Sequence, residues 1–108
     1  MSDYYILKGH EVEKVDLVTW AKWLEENHSA KIVKQEDVGG YFVSTVFLGL
    51  DHRFGDGPPV LFETLVFKRK PDGEVDYCEV HGERCGTYDG AEEMHTRCCE
   101  YVRTSLVN

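Results

Sequence analysis

Two stretches dominate the folding problem. Tyr41–Leu50 (YFVSTVFLGL) and Val60–Lys68 (VLFETLVFK) are β-branched and aromatic almost throughout, the composition that suits a pleated, buried surface. Side chains alternate across a strand. Tyr41, Val43, Thr45 and Phe47 therefore share one face of the first strand, and Phe42, Ser44, Val46 and Leu48 share the other. In the second, Phe62, Thr64 and Val66 oppose Leu61, Leu65 and Phe67. Both faces of both strands are largely apolar, whereas an antiparallel sheet with one wet face alternates apolar with polar. Such strands need cover on two sides.

The rest of the chain supplies limited cover. Asp16 is placed to cap a helix whose stripe runs through Leu17, Trp20, Ala21, Leu24 and His28. A second helix near the C-terminus carries Ala91, Met94, His95, Cys98 and Val102 on one side, and Asp89 with Glu92 resembles a capping box. "YYILKGHEVEKV" holds two short strand-like pieces, and "AKIVKQEDVGG" is a strand ending in a turn at Gly39 and Gly40. "KRKPDGEV" is a turn because Pro71 presets φ and Gly73 supplies a positive φ. It joins Val60–Arg69 to a last strand, Val75–Val80. The order β-β-α-β-β-β-β-α predicts an α+β fold: a single, mostly antiparallel sheet with two helices packed on one face. The 108 residues form one domain, 1–108.

Between the two strong strands lies "DHRFGDGPP", longer and more charged than a hairpin needs. Glu63 alternates with Leu61 and Leu65, which puts a carboxylate on an apolar face, where it requires a partner. Asp51 and His52 from the loop, Glu63, and His95 from the last helix form a candidate polar cluster. One reading is a metal or acid–base site. The plainer one is a latch in which Glu63 accepts hydrogen bonds from the loop backbone, since buried polar groups are usually satisfied ones. The loop's Asp spacing does not fit a calcium-binding loop.

The block "STVFLGLDHRFGDGPPVLFETLVF" (Ser44–Phe67) resembles a family of short phage and prophage proteins. In that family a strand ends in Leu-Gly-Leu-Asp-His, a Gly-Pro-Pro loop follows, and the next strand contains Phe-Glu-Thr. Asp51-His52, Gly57-Pro58-Pro59 and Phe62-Glu63-Thr64 match it, and Ala91 and His95 match a later helix. Met94 stands where the family has Gly, and Lys68 and Arg69 replace a Gly-rich turn. The resemblance implies a phage-associated origin and carries over no activity.

Charge narrows the partners. Twelve basic residues against 20 acidic ones give a net charge of −8, which argues against nucleic-acid binding, since that needs a basic patch. There is no signal-peptide pattern at the N-terminus and no apolar run near the ~20 residues of a membrane span. The expectation is a cytoplasmic protein of the host cell, with Cys78, Cys85, Cys98 and Cys99 as free thiols. Cys78-x2-His81-x3-Cys85 and His95-x2-Cys98 look zinc-like, but Cys78 and His81, three apart on a strand, leave from opposite faces. No metal and no cofactor are expected.

These readings converge on a small non-enzymatic accessory protein that acts by protein binding, as a homodimer or with another protein. Trp23, near the edge of its helix stripe, Tyr41 and Phe47 are the candidate interface residues. One alternative is an acidic inhibitor of a host defence protein that imitates nucleic acid. Another is a metal-dependent enzyme built on His52, Glu63 and His95.

Overall fold

The computed structural model describes residues 3–53 and 55–107; residues 1, 2, 54 and 108 of the expected domain lie outside the described residues. The fold is α+β, with the element order read from the sequence: β1 (Tyr4–Lys8), β2 (Glu11–Val15), α1 (Leu17–Glu26), β3 (Ile32–Val38), β4 (Tyr41–Phe47), β5 (Phe62–Arg69), β6 (Val75–Cys85) and α2 (Tyr88–Tyr101). The strands do not form one sheet. β3-β4-β5-β6 is a four-stranded antiparallel meander, and β1-β2 is a separate two-stranded ribbon. The ribbon folds over the helix side, where Leu7 enters the core.

Local chemistry sets the corners. Gly39 and Gly40 have φ of 53° and 85° and link the paired residues Val38 and Tyr41. Two consecutive positive φ values make a two-residue turn whose twist matches that of the strands it joins. Asp16 caps α1 as its position suggests, its Oδ1 accepting from the Thr19 N–H at 2.8 Å. The cap of α2 differs from expectation: Thr87, not Asp89, accepts from the Gly90 N–H at 3.0 Å. Asp89 lies in the first turn, where its charge complements the helix dipole. β6 runs five residues beyond Val80, because Gly82, Glu83, Arg84 and Cys85 continue the ladder against Leu65, Thr64, Glu63 and Phe62. Pairing with a strong neighbour overrides the weak strand preference of "HGERC".

The core lies between the meander and α2. Val43, Phe47, Phe62 and Val66 from the central strands meet Ala91, Met94, Cys98 and Val102 of the helix, all buried. The stripe read for α2 is therefore the one it buries, with Cys99 added. The stripe read for α1 is looser. No residue of that helix is fully buried, and Leu17 and Val18 are exposed. α1 reaches the core through Trp23, whose ring meets Phe47 edge-on at 5.8 Å. Trp20 packs on Tyr4 at 5.0 Å.

Trp20 also lies against Gly49, at the exit from β4. Gly49 has φ +77°, and a Cβ built there would lie 2.9 Å from Trp20 Nε1. Its carbonyl accepts from the Tyr5 N–H at 2.9 Å, which ties the ribbon to the meander. Gly49→Ala combines a disfavoured φ with this contact and is expected to lower unfolding free energy by about 1–3 kcal/mol, read from urea denaturation.

Candidate functional site

The four residues of the predicted polar cluster do not meet. Glu63 sits between Leu61 and Leu65 in sequence, as its alternation requires, but it points to the sheet face opposite α2. There it accepts from Arg84 Nε at 2.7 Å, a cross-strand partner in direct register. His95 lies on the other face, under α2. A centre built on His52, Glu63 and His95 is thus divided by the sheet itself. The latch exists, but Asp51 forms it rather than Glu63. Asp51 Oδ1 accepts from the N–H groups of Arg53 at 2.9 Å and Val60 at 3.0 Å, and Arg53 Nε lies 2.7 Å from Oδ2. Burial pushes the Asp51 carboxyl up, but these N–H groups and the Arg53 and His52 charges outweigh it and hold its pKa below the ordinary value. The His52 N–H donates to the Val60 carbonyl at 2.9 Å, so both ends of the loop are pinned.

A different constellation lies on the helix-covered face. Register places Thr45 opposite Thr64 at the sheet centre, and Thr64 opposite Glu83 on β6. Glu36 pairs with Val43 one row over, on β3. His95 descends from α2 onto this polar row and is only 1% exposed. Its Nδ1 lies 2.6 Å from Thr45 Oγ1, Thr45 Oγ1 lies 2.5 Å from Thr64 Oγ1, and its Nε2 lies 2.8 Å from Glu36 Oε1. Cys99, one turn further along α2, donates its S–H to the same Glu36 oxygen at 3.3 Å.

The chain of hydrogen bonds closes in either direction. With Glu36 ionised and accepting, a neutral His95 donates from Nε2 and accepts from the Thr45 hydroxyl, which in turn accepts from Thr64. A protonated His95 donates from both nitrogens, and the two hydroxyls reverse. The ring hydrogen bond first, and then the Cys99 thiol, hold the Glu36 carboxyl below its usual value against the upward push of burial.

A second group of the same residue types lies toward the β6 edge. Glu83 Oε2 meets His81 Nε2 at 3.1 Å and the Cys98 thiol at 3.3 Å, while its Oε1 accepts from Arg97 Nη2 at 2.9 Å. The His81 ring also stacks on Tyr101 at 4.3 Å. Burial raises Glu83, but His81, Arg97 and Cys98 together bring it below the usual carboxylate value.

Thr45, His95 and Glu36 have the order of a nucleophile, a base and an orienting acid. Thr45 is fully buried under α2, however, and so is Thr64. A reacting carbonyl has no path to that hydroxyl. What the row does is specify how α2 docks on the sheet.

The candidate interface residues also lie on this side. Phe47 is 2% exposed, and Trp23 and Tyr41 pack against the core cluster. The sequence placed them on one strand face and one helix edge, but that face is the covered one. No family model, curated protein or solved structure matches the chain. No helix among the described residues is long and apolar enough to cross a membrane.

Two measurements separate the polar row from the rim. His95→Ala removes one hydrogen-bond partner from each of Glu36 and Thr45 and opens a cavity, so a loss of about 2–4 kcal/mol is expected in chemical denaturation. Glu63→Ala breaks a cross-strand ion pair at the edge of solvent and is expected to cost under about 1 kcal/mol. Equal costs would contradict the assignment of the two faces.

The thiols should differ in rate. Cys78 is exposed. Burial first, and then the neighbouring carboxylates, push Cys98 up to about 12 and Cys99 up to about 11, and burial also raises Cys85. At pH 8 a disulfide reagent should modify one thiol fast and the other three only slowly or on unfolding. Cys98 or Cys99 reacting first, by peptide mapping, would contradict the packing of α2.

Proposed function

We propose that the chain is a small accessory protein without catalytic activity of its own, acting in the host cytoplasm by protein binding, with a second copy of itself as the occupant of its uncovered sheet face. The phage setting follows from the resemblance of Ser44–Phe67. One observation carries the rest: the face of the meander opposite α2 is apolar and close to neutral.

Phe42, Val46, Leu65 and Phe67 line the middle of that face, and Ile32, Tyr77 and Val80 stand exposed around it. Near its rims Arg69 pairs with Asp37 at 2.8 Å and Arg84 with Glu63 at 2.7 Å, so each cation has its own carboxylate. Arg69 additionally covers the Phe42 ring at 4.9 Å. A shallow groove of about 560 Å³ opens between Leu65 and Val80.

A chain of net charge −8 repels its own copies over most of its surface. On this face Asp37 and Glu63 are already matched, which leaves Glu79 at the groove as the added negative charge, and hydrophobic burial meets the least opposition. A twofold pairing also presents the same patch from both sides, the commonest form of assembly.

Light scattering at micromolar concentration is expected to give about twice the chain mass. Val80→Glu, at an exposed position, should return the monomer mass with an unchanged circular dichroism spectrum. A wild-type monomer at every concentration would reject self-association.

A further inference from the structure

We propose that Glu36, His95 and Cys99 form a binding site for a zinc-like divalent transition metal, set between the β3 edge of the sheet and α2. The donor set is the first reason. One imidazole nitrogen, one thiol sulfur and one carboxylate oxygen lie within 4.8 Å of one another. That mixture suits a borderline-soft ion and does not suit calcium or magnesium, which take oxygen ligands.

Geometry is the second. His95 and Cys99 are four residues apart on α2 and therefore project from the same side of the helix. Glu36 Oε1 already sits 2.8 Å from His95 Nε2 and 3.3 Å from Cys99 Sγ. A tetrahedral ion with bonds of about 2.0–2.3 Å holds its ligand atoms roughly 3.3–3.8 Å apart. The Glu36 carboxylate has to retreat from both His95 and Cys99, and it stands on an edge strand with its side chain 35% exposed.

The third reason is the support behind the ring. Metal-bound histidines donate their other N–H to a fixed acceptor. Coordination through Nε2 requires the proton on Nδ1, where Thr45 Oγ1 lies at 2.6 Å. Thr45 can accept that proton because its own hydroxyl can turn to Thr64. Binding then displaces one proton, from the Cys99 thiol to solvent, and shifts the other from Nε2 to Nδ1.

The group of His81, Glu83 and Cys98 has the same residue types but not the same freedom. The guanidinium of Arg97, a permanent cation, occupies Glu83 and opposes a second positive charge there. Glu36 itself pairs with Lys34, 3.7 Å away on a flexible, mostly exposed stem that can swing clear, and Arg103 acts on Cys99 only through its charge, without an ion pair to Glu36.

Cobalt(II) tests the assignment, because thiolate ligation gives a charge-transfer band in the near ultraviolet that carboxylate and imidazole do not. The full chain, stripped with chelator and kept reduced, should bind one cobalt with that band, and zinc should displace it. Cys99→Ser should abolish the band, and Cys98→Ser should retain it. Thr45→Val, which keeps all three ligands, should weaken cobalt binding by about 10–100-fold. Circular dichroism of each variant separates loss of the site from loss of the fold. Absence of the band at millimolar cobalt in the folded wild type overturns the proposal. So does a band that survives Cys99→Ser or disappears in Cys98→Ser.

Discussion

The placement of His95 governs much of the architecture. A buried imidazole must satisfy two nitrogens without water, and it does so on the Thr45 hydroxyl of β4, itself bonded to Thr64 of β5, and on a carboxylate from the β3 edge. Those groups face α2 only if β3, β4 and β5 hold their present register, since a slip of one residue turns every side chain to the opposite face. Thr45 and Thr64, directly paired and fully buried, would then exchange places with half-buried Val46 or Leu65. An all-apolar interface between α2 and the sheet would tolerate sliding. The polar row does not, and it fixes helix position and strand register together.

The neighbouring apolar residues supply the driving force that the row lacks. Phe47, Phe62, Met94 and Val102 are at or near complete burial, and each fully buried side chain of this size contributes about 1.5–3 kcal/mol. The row contributes little net stability, because its hydrogen bonds replace bonds to water. Its effect is on which arrangement wins. The ribbon closes one end of the covered layer through Leu7 and through His10, which stacks on Tyr88 at 3.8 Å. Asp51 does comparable work in the long loop, holding backbone N–H groups from both of its ends.

Much of this was legible in the sequence, and the failures share a cause. Period-two and period-3.6 patterns gave the element order and the buried side of α2. They state which residues share a face, not which face is covered. Alternation puts Glu63, Tyr41 and Phe47 on the faces they occupy but does not tell that Tyr41 and Phe47 lie under cover while Glu63 faces Arg84. The division into two sheets depends on where the ribbon docks, and no local pattern encodes that. Glu36 was hidden in "KQED", which reads as solvated charge, and it meets His95 across 59 positions. The signal that existed was parity, since Glu36 is in step with buried Val38. Cys99, four residues after His95, shares its helix side by spacing alone, whereas the His95-x2-Cys98 spacing is the one that resembles a metal motif. The end of β6 is hidden because "GERC" has a loop's composition and becomes a strand only through its pairing with β5.

The two edges of the meander limit how copies of this chain can add to one another. Between the pairs Val66–His81 and Lys68–Asp76, one residue of β5 faces four of β6, so Tyr77–Val80 bulge out of the ladder. The other edge, β3, carries its own irregularity between Ile32 and Lys34 and presents Lys34 and Asp37 to solvent. A strand arriving at either edge finds a broken row of donors and acceptors, the device by which sheet proteins avoid growing into fibres. Strand-by-strand extension is closed off at both ends, and the molecule can expose a sheet face without becoming a template for polymerisation.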